Sequence, residues 1–346
     1  MPFVRRIRAG LSALTERSAT LPNTVLIIGP ALVPTATQAA EEAGLRLVAS
    51  GPYPSADALI DLVRREKPAG MIVRMGHVGR DVIEVADDLR IIAKHGVGVD
   101  TIDLAAASEK GIPVTVAAGA NAQSVAEHAV ALMFGLARST AYLDRRVKDG
   151  HWDKSQAVGV ELGGRTLGLV GFGAIARILA GLVQPLRMRT LVFDPFVTGD
   201  LGVPGAEKVG ELDMLLRRSD VVSLHCPLTE QNHGLIGRRE LELMKRDAFM
   251  VNTARGGLVD ADALAEALRN GAIAGAALDT FPQEPPSPEH PLFSAPNLLV
   301  TPHVGANTVE AKERVGLLVV QQVADVLAGR VLEPRMIANK PIVQAA

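Results

Sequence analysis

Two groups of residues in this sequence have types and spacings that could do chemistry. The first is Gly171-Phe172-Gly173-Ala174-Ile175-Ala176, a G-x-G-x-x-G/A pattern between an expected strand, Thr166 to Val170, and an expected helix. In that setting the first glycine permits a tight turn and the second lets the backbone approach a pyrophosphate, whose charge the helix N-terminus stabilises. Ala176 takes the third place, where a small residue still allows the helix to pack closely on the strand. Asp194 ends the next strand, about 20 residues on, where a carboxylate can accept from ribose hydroxyls and repels a 2′-phosphate. The following Pro195-Phe196 supplies no arginine to receive such a phosphate, so the pattern predicts NAD rather than NADP.

The second group is Arg255 in Asn252-Thr-Ala-Arg-Gly256, Glu284 in Leu278-Asp-Thr-Phe-Pro-Gln-Glu-Pro285, and His303 in Val300-Thr-Pro-His-Val-Gly305. Each follows a late strand. Ligands bind at the carboxyl ends of the strands in an open parallel sheet, so the three could meet beside a nicotinamide. Singly, each has a plain structural explanation: an arginine paired with a surface acid, a loop carboxylate, a satisfied loop histidine. Their joint occurrence after a dinucleotide turn points to a site.

The elements that must position these residues alternate regularly. Short apolar strands are expected at Val25 to Ile28, Leu45 to Val48, Gly70 to Arg74, Ile91 to Lys94 and Val114 to Val116, with helices between them. A second series runs through Thr166 to Val170, Thr190 to Phe193, Val221 to Leu224, Phe249 to Asn252, Gly275 to Leu278 and Leu298 to Thr301. Such repetition predicts an α/β protein with two doubly wound parallel-sheet domains. Ser124 to Lys148 is apolar-periodic without proline and reads as one long helix, and a last helix over about Asn307 to Ala328 is long enough to return to the first domain. These are the expected crossover helices.

Composition excludes several classes. A hydrophobic content of 48% rules out disorder as the dominant state, and 36 Lys plus Arg against 38 Asp plus Glu, spread evenly, offer no basic surface for nucleic acid. No apolar stretch approaches the ~20 residues of a membrane span. The single cysteine, Cys226, can form neither an intramolecular disulfide nor a thiolate zinc cluster, so no metal is expected and a reducing cytoplasm fits best. Residues 1–23 carry Arg5, Arg6, Arg8 and Arg17 without a continuous apolar segment and read as an N-terminal extension, not a secretory signal.

With these residues in place, the sequence resembles the NAD-dependent D-isomer-specific 2-hydroxyacid dehydrogenases, which include phosphoglycerate dehydrogenases and glyoxylate/hydroxypyruvate reductases. The likeness runs from about Thr24 to Arg335. It rests on Gly96-Val-Gly-Val-Asp-Thr-Ile-Asp103, Asn121-Ala-Gln-Ser-Val-Ala-Glu-His128, Gly171 to Ala176, His225-Cys-Pro-Leu-Thr229, Asn252 to Gly256, Glu284-Pro285 and Pro302-His303. It implies a flavodoxin-like substrate domain over residues 24–121 and 305–335 and a Rossmann cofactor domain over 122–304.

The resemblance also implies roles. His303 is the acid/base, Glu284 its partner, and Arg255 the anchor for the substrate carboxylate and carbonyl. Reducing a 2-oxo acid needs a hydride at the carbonyl carbon and a proton at the oxygen, so an imidazolium must lie within reach of that oxygen. A neighbouring carboxylate stabilises and orients the ring, and the planar fork of arginine suits a carboxylate. By the same likeness Met75-Gly76 presents backbone N–H groups to the substrate, Asp279 touches the nicotinamide carboxamide, and Cys226, Pro227 and Thr253 line the cofactor cleft. Arg74, with His77, Lys94 and His95, is placed to meet a second anionic group, as on 3-phosphoglycerate. The sequence departs from the family pattern at Ala176, Thr101 and Thr280.

The expected activity is NAD-dependent transfer of hydride to or from a small 2-hydroxy or 2-oxo acid of the 3-phosphoglycerate, hydroxypyruvate or glyoxylate type. A dinucleotide-sensing corepressor on the same fold is the alternative, which the complete Arg255, Glu284 and His303 set disfavours. About 20 residues follow the last expected helix, so no C-terminal regulatory domain is expected. The helix over 124–148 is expected to serve as the arm of a homodimer.

Overall fold

The structure, a computed structural model, describes residues 23–339. The expected N-terminal extension lies outside the described residues, except for Asn23. The described residues divide into two compact units, one of residues 23–121 and 308–339, the other of residues 122–307.

The first unit holds β1 (Asn23–Ile28), α1 (Pro34–Glu42), β2 (Leu45–Ala49), α2 (Ala56–Glu66), β3 (Gly70–Val73), α3 (Arg80–Glu84), β4 (Ile91–Lys94), α4 (Leu104–Glu109) and β5 (Val114–Val116). All strand pairs are parallel, in the order β2-β1-β3-β4-β5, a doubly wound flavodoxin-like arrangement. β3 is buried on both faces, which is why its residues are continuously apolar.

The second unit opens with α5 (Ala122–Ala137) and α6 (Thr140–Lys148). It continues through β6 (Thr166–Val170), α7 (Ala174–Val183), β7 (Arg189–Phe193), β8 (Ala206–Lys208), α8 (Leu212–Arg218) and β9 (Val221–Leu224). α9 (Arg238–Leu243), β10 (Phe249–Asn252), α10 (Ala261–Arg269), β11 (Gly275–Leu278) and β12 (Leu298–Val300) complete it. Its sheet is parallel, in the order β12-β11-β10-β9-β6-β7-β8, so the strand order reverses between β6 and β9. A dinucleotide binds at this kind of switch point. One apolar cluster under α5 and α7 covers one face, and another under α8, α9 and α10 covers the other.

The last helix, α11 (Val309–Leu327), packs on α1 and on β3, β4 and β5, which makes the first unit discontinuous. Residues 305–307 group with the second unit. The Gly305 N–H donates to the Asp279 carboxylate at 2.8 Å, and the Asn307 N–H to the Val304 carbonyl at 2.7 Å.

The expected single helix over 124–148 is two. Ser139 takes a left-handed conformation (φ 49°) between α5 and α6, and the Val160 N–H caps the Ala137 carbonyl at 2.8 Å. Burial differs as well: α5 buries nine residues, Ala126, Ala129 and Met133 among them, whereas α6 buries none. The apolar periodicity runs across the junction, but only its first half faces a core. β8 is absent from the expected strands, because Ala-Glu-Lys at a sheet edge carries no apolar signature.

Candidate active site

Gly171 follows β6 with φ 87°, and a Cβ there would stand 2.8 Å from both the carbonyl carbon of His225 and the nitrogen of Cys226. Glycine is therefore demanded twice, by conformation and by the chain leaving β9 at the switch point. At Gly173 the reverse holds: a Cβ would meet nothing within 4 Å, so the backbone stands open where α7 begins. Ala176, fully buried, lets α7 lie close against β6.

Asp194 Oδ2 accepts the Phe172 N–H and its Oδ1 the Phe196 N–H, both at 2.8 Å. The carboxylate thus braces the glycine turn, and each oxygen keeps a second acceptor position for a ribose hydroxyl. Thr253, just past β10, buries a hydroxyl with no hydrogen-bond partner. An open helix N-terminus, a braced carboxylate and an orphaned hydroxyl on one strand-end edge fit a dinucleotide.

Cys226 is half-buried, and burial pushes its thiol pKa up, the opposite of an activated nucleophile. The Pro227 carbonyl accepts from the Asn232 amide at 2.7 Å. Among the described residues, no cluster of three or more His, Cys, Asp or Glu side chains is disposed to hold a metal ion.

β10, β11 and β12 are adjacent, so the turns bearing Arg255, Glu284 and His303 are neighbours. Asn252, fully buried, sets the first of them: its Oδ1 accepts the Ala254 N–H at 3.0 Å and its Nδ2 donates to the Arg255 carbonyl at 2.8 Å. His303 Nδ1 stands 2.6 Å from Glu284 Oε2, and Glu284 Oε1 accepts the Phe281 N–H at 3.0 Å. Burial acts to raise the Glu284 pKa. The bonds from His303 and Phe281 and the charge of Arg255 outweigh it and hold the carboxyl below its ordinary range. Arg255 thus acts electrostatically on Glu284.

His303 has φ 53°, a left-handed conformation that a histidine adopts at some cost. Asp279 holds it there. Its backbone carbonyl accepts the His303 N–H at 2.7 Å; its carboxylate accepts the Thr301 hydroxyl at 2.5 Å, the Val304 N–H at 2.9 Å and the Gly305 N–H at 2.8 Å. His128 Nε2 lies 3.0 Å from Thr301 Oγ1 and 3.4 Å from Asp279 Oδ1. Burial favours the protonated acid, but these bonds prevail and keep the Asp279 pKa low. With 1% exposure, Asp279 is committed to the His303 loop. A nicotinamide carboxamide would have to share one of these acceptor positions.

In the first unit, Arg74 and Met75 leave β3 with both N–H groups on the Ile28 carbonyl, at 2.9 and 3.0 Å. The Met75 N–H, expected to face a substrate, here donates to Ile28. Among the described residues Gly76 keeps its own, at φ 135° and with Ile28 Cγ2 only 2.9 Å from where a Cβ would sit. The half-buried Arg74 guanidinium donates to the carbonyls of Pro30, at 2.5 Å, and Ala31, so part of its fork pins the loop after β1.

A family model described as "D-isomer specific 2-hydroxyacid dehydrogenase, NAD binding domain" matches residues 130–305. The chain belongs to this family. A glyoxylate reductase of Thermofilum pendens is 36% identical over 297 residues, covering 84% of this chain and 86% of that protein. A D-3-phosphoglycerate dehydrogenase of Archaeoglobus fulgidus is 42% identical over 267 residues, 77% of this chain but 50% of that protein. The chain thus spans about half the length of the first of its curated phosphoglycerate dehydrogenase relatives. Among solved structures, the TT0316 protein of Thermus thermophilus superposes with a TM-score of 0.82 at 36% identity, covering 91% of this chain and 99% of that one.

Thr101 and Thr280 also bury hydroxyls without hydrogen-bond partners. Sequence reasoning missed Asn252, Phe281, Thr301 and His128 as parts of the site. Only Asn252 carried a local signal, the Asn at a strand end that folds back on its own turn.

Proposed function

We propose that the chain is an NAD-dependent 2-hydroxyacid dehydrogenase that moves a hydride between NAD(H) and a small 2-hydroxy or 2-oxo acid. The observation that carries this reading is the 2.6 Å contact of His303 Nδ1 with Glu284 Oε2. It leaves Nε2 of the same ring to face a substrate oxygen. Glu284 fixes the ring, so a proton held on Nε2 can be delivered to the oxygen of a 2-oxo acid or taken from a 2-hydroxy acid. Arg255 binds the substrate carboxylate through its fork and polarises the neighbouring carbonyl. The nicotinamide supplies or accepts the hydride. Gly171 to Ile175, Asp194, Cys226, Pro227 and Thr253 hold the dinucleotide, with Asp279 acting through the His303 loop.

For the substrate we propose the 3-phosphoglycerate, hydroxypyruvate or glyoxylate class. Gly76 contributes its N–H, and Arg74 contributes the guanidinium donors not spent on Pro30 and Ala31. NADH oxidation against a panel of glyoxylate, hydroxypyruvate, pyruvate and phosphohydroxypyruvate, repeated with NADPH, tests the reading. Turnover of one of them with NADH preferred is expected. Silence across the panel with NADH still bound would overturn it.

We also propose a homodimer joined through α6 and the chain after it. α6 buries nothing, and Tyr142, Val147 and Trp152 are 52%, 53% and 78% exposed, an apolar surface that a second copy would cover. Light scattering giving the mass of a single subunit would refute this. The lone half-buried thiol supports a reducing, cytoplasmic setting; among the described residues, no helix is long and apolar enough to cross a membrane.

A further inference from the structure

The turns that carry Arg255 and Glu284 touch through their main chains. A Cβ built on Gly256 would stand 2.1 Å from the carbonyl carbon of Phe281, 2.3 Å from the nitrogen of Pro282 and 2.5 Å from the Cα of Phe281. All three are backbone atoms, so no rotamer change relieves the overlap. Gly256 has no positive φ; space alone requires glycine here.

On the far side of this seam lies the acid–base pair. The Phe281 N–H, whose nitrogen is bonded to the Cα that Gly256 abuts, is the donor to Glu284 Oε1. The Phe281 ring is clamped too. It is 8% exposed and stands edge-on to His290, with centroids 5.8 Å apart, and to Phe293 at 5.7 Å. On the near side, Gly256 opens a single 3-10 turn, Gly256–Leu258, and Arg255 is its N-cap, with its carbonyl bonded to Asn252 Nδ2 and the Leu258 N–H. Neither Gly256 nor Phe281 carries a group that the proposed reaction could use.

We propose that the Gly256–Phe281 contact is the positioning device of this site. It sets the distance of Arg255 from the Glu284–His303 pair and holds Glu284 in the rotamer that meets His303. Gly256 and Phe281 are positioning residues: they act through Arg255 and Glu284. A methyl group in the seam drives the two turns apart, which moves the substrate anchor away from the proton donor and draws the Phe281 N–H off Glu284.

This inference rests on the acid–base reading above, and its test separates the two. Gly256→Ala and His303→Ala are made in the full chain and assayed over pH with the best 2-oxo acid, with NADH affinity measured separately. For Gly256→Ala, kcat/KM is expected to fall about 10²-fold, the usual consequence of an ångström-scale misplacement. KM should rise because the anchor has moved, and NADH affinity should hold. Glu284 is faced by His303, the Phe281 N–H and, at longer range, Arg255. Losing the Phe281 bond to its charged form lets it protonate at higher pH, so the low-pH limb of the rate profile should move up.

Phe293→Ala removes one ring of the clamp from a residue already 42% exposed and leaves the seam unfilled, which guards against a folding defect in the glycine variant. It should shift the low-pH limb in the same direction with a smaller loss of rate, and Phe293→Tyr should restore the profile. A folded Gly256→Ala protein with unaltered KM and unmoved limb overturns the inference. So does an unmoved limb in Phe293→Ala if the glycine variant does not fold. Full activity in His303→Ala would instead bring down the acid–base reading itself.

Discussion

Glu284 divides its carboxylate between His303 Nδ1, 2.6 Å from Oε2, and the main chain of Phe281 on Oε1. An acid shared in this way cannot swing out of the site without abandoning a backbone partner as well as the imidazole. The ring of His303 is therefore held in one orientation although half of it is exposed to solvent.

Removing the proposed proton carrier should be felt in turnover and little elsewhere. For His303→Ala, kcat is expected to fall about 10²-fold or more, the usual worth of general acid–base catalysis, with NADH binding nearly intact. Steady-state kinetics beside a fluorescence titration of NADH checks this; undiminished turnover would refute the role.

Arg255→Lys keeps the charge and loses the planar fork. The substrate KM should rise, with a smaller change in kcat, because a point charge cannot engage both carboxylate oxygens in a fixed plane. If KM stays where it was, the anchor is elsewhere.

Asp194→Ala removes two bonds from the glycine turn, to Phe172 and Phe196, together with the charge that disfavours a 2′-phosphate. NADH affinity should drop about tenfold or more, as expected for lost charge-assisted hydrogen bonds, and the preference over NADPH should narrow. Parallel titrations with both nucleotides decide the matter, and an unchanged ratio would remove Asp194 from the recognition of the ribose.

Two buried histidines predict how stability depends on pH. His225, bonded to Ser223 Oγ at 2.8 Å, is pushed down to about 4 by burial. His95 is pushed down to about 4 by burial and by the nearby cations Arg74, Lys94 and Lys312. Both are neutral in the folded chain and protonate in the unfolded one, so the unfolded state binds more protons and stability must fall as pH drops from 6.5 toward 4. Each contributes up to roughly 3 kcal/mol across that window. Asp279 and Glu284, whose pKa values are lowered, lose their contributions only at lower pH. Urea unfolding at several pH values should show the decline, and His225→Gln should flatten it by its share; a level curve between pH 6.5 and 4.5 would contradict the burial of both rings.

What the sequence determined by itself was local: strand after helix, the glycine turn that leaves β6, and the placing of Asp194, Arg255, Glu284 and His303 just past strand ends. Apolar periodicity and glycine spacing are short-range signals, and a parallel sheet converts strand-end positions into a common edge. Tertiary structure decided what depends on neighbours distant in sequence. Ser139 breaks a helix whose periodicity was continuous, because only its first half faces a core. The Met75 N–H goes to Ile28, the Asp279 carboxylate to the loop of His303, and the Glu284 carboxylate to Phe281. Gly256 is fixed by a backbone that arrives 25 residues later. A sequence names the donors and acceptors, but packing and desolvation decide which of them meet, since a buried group must find its partner wherever the fold brings one.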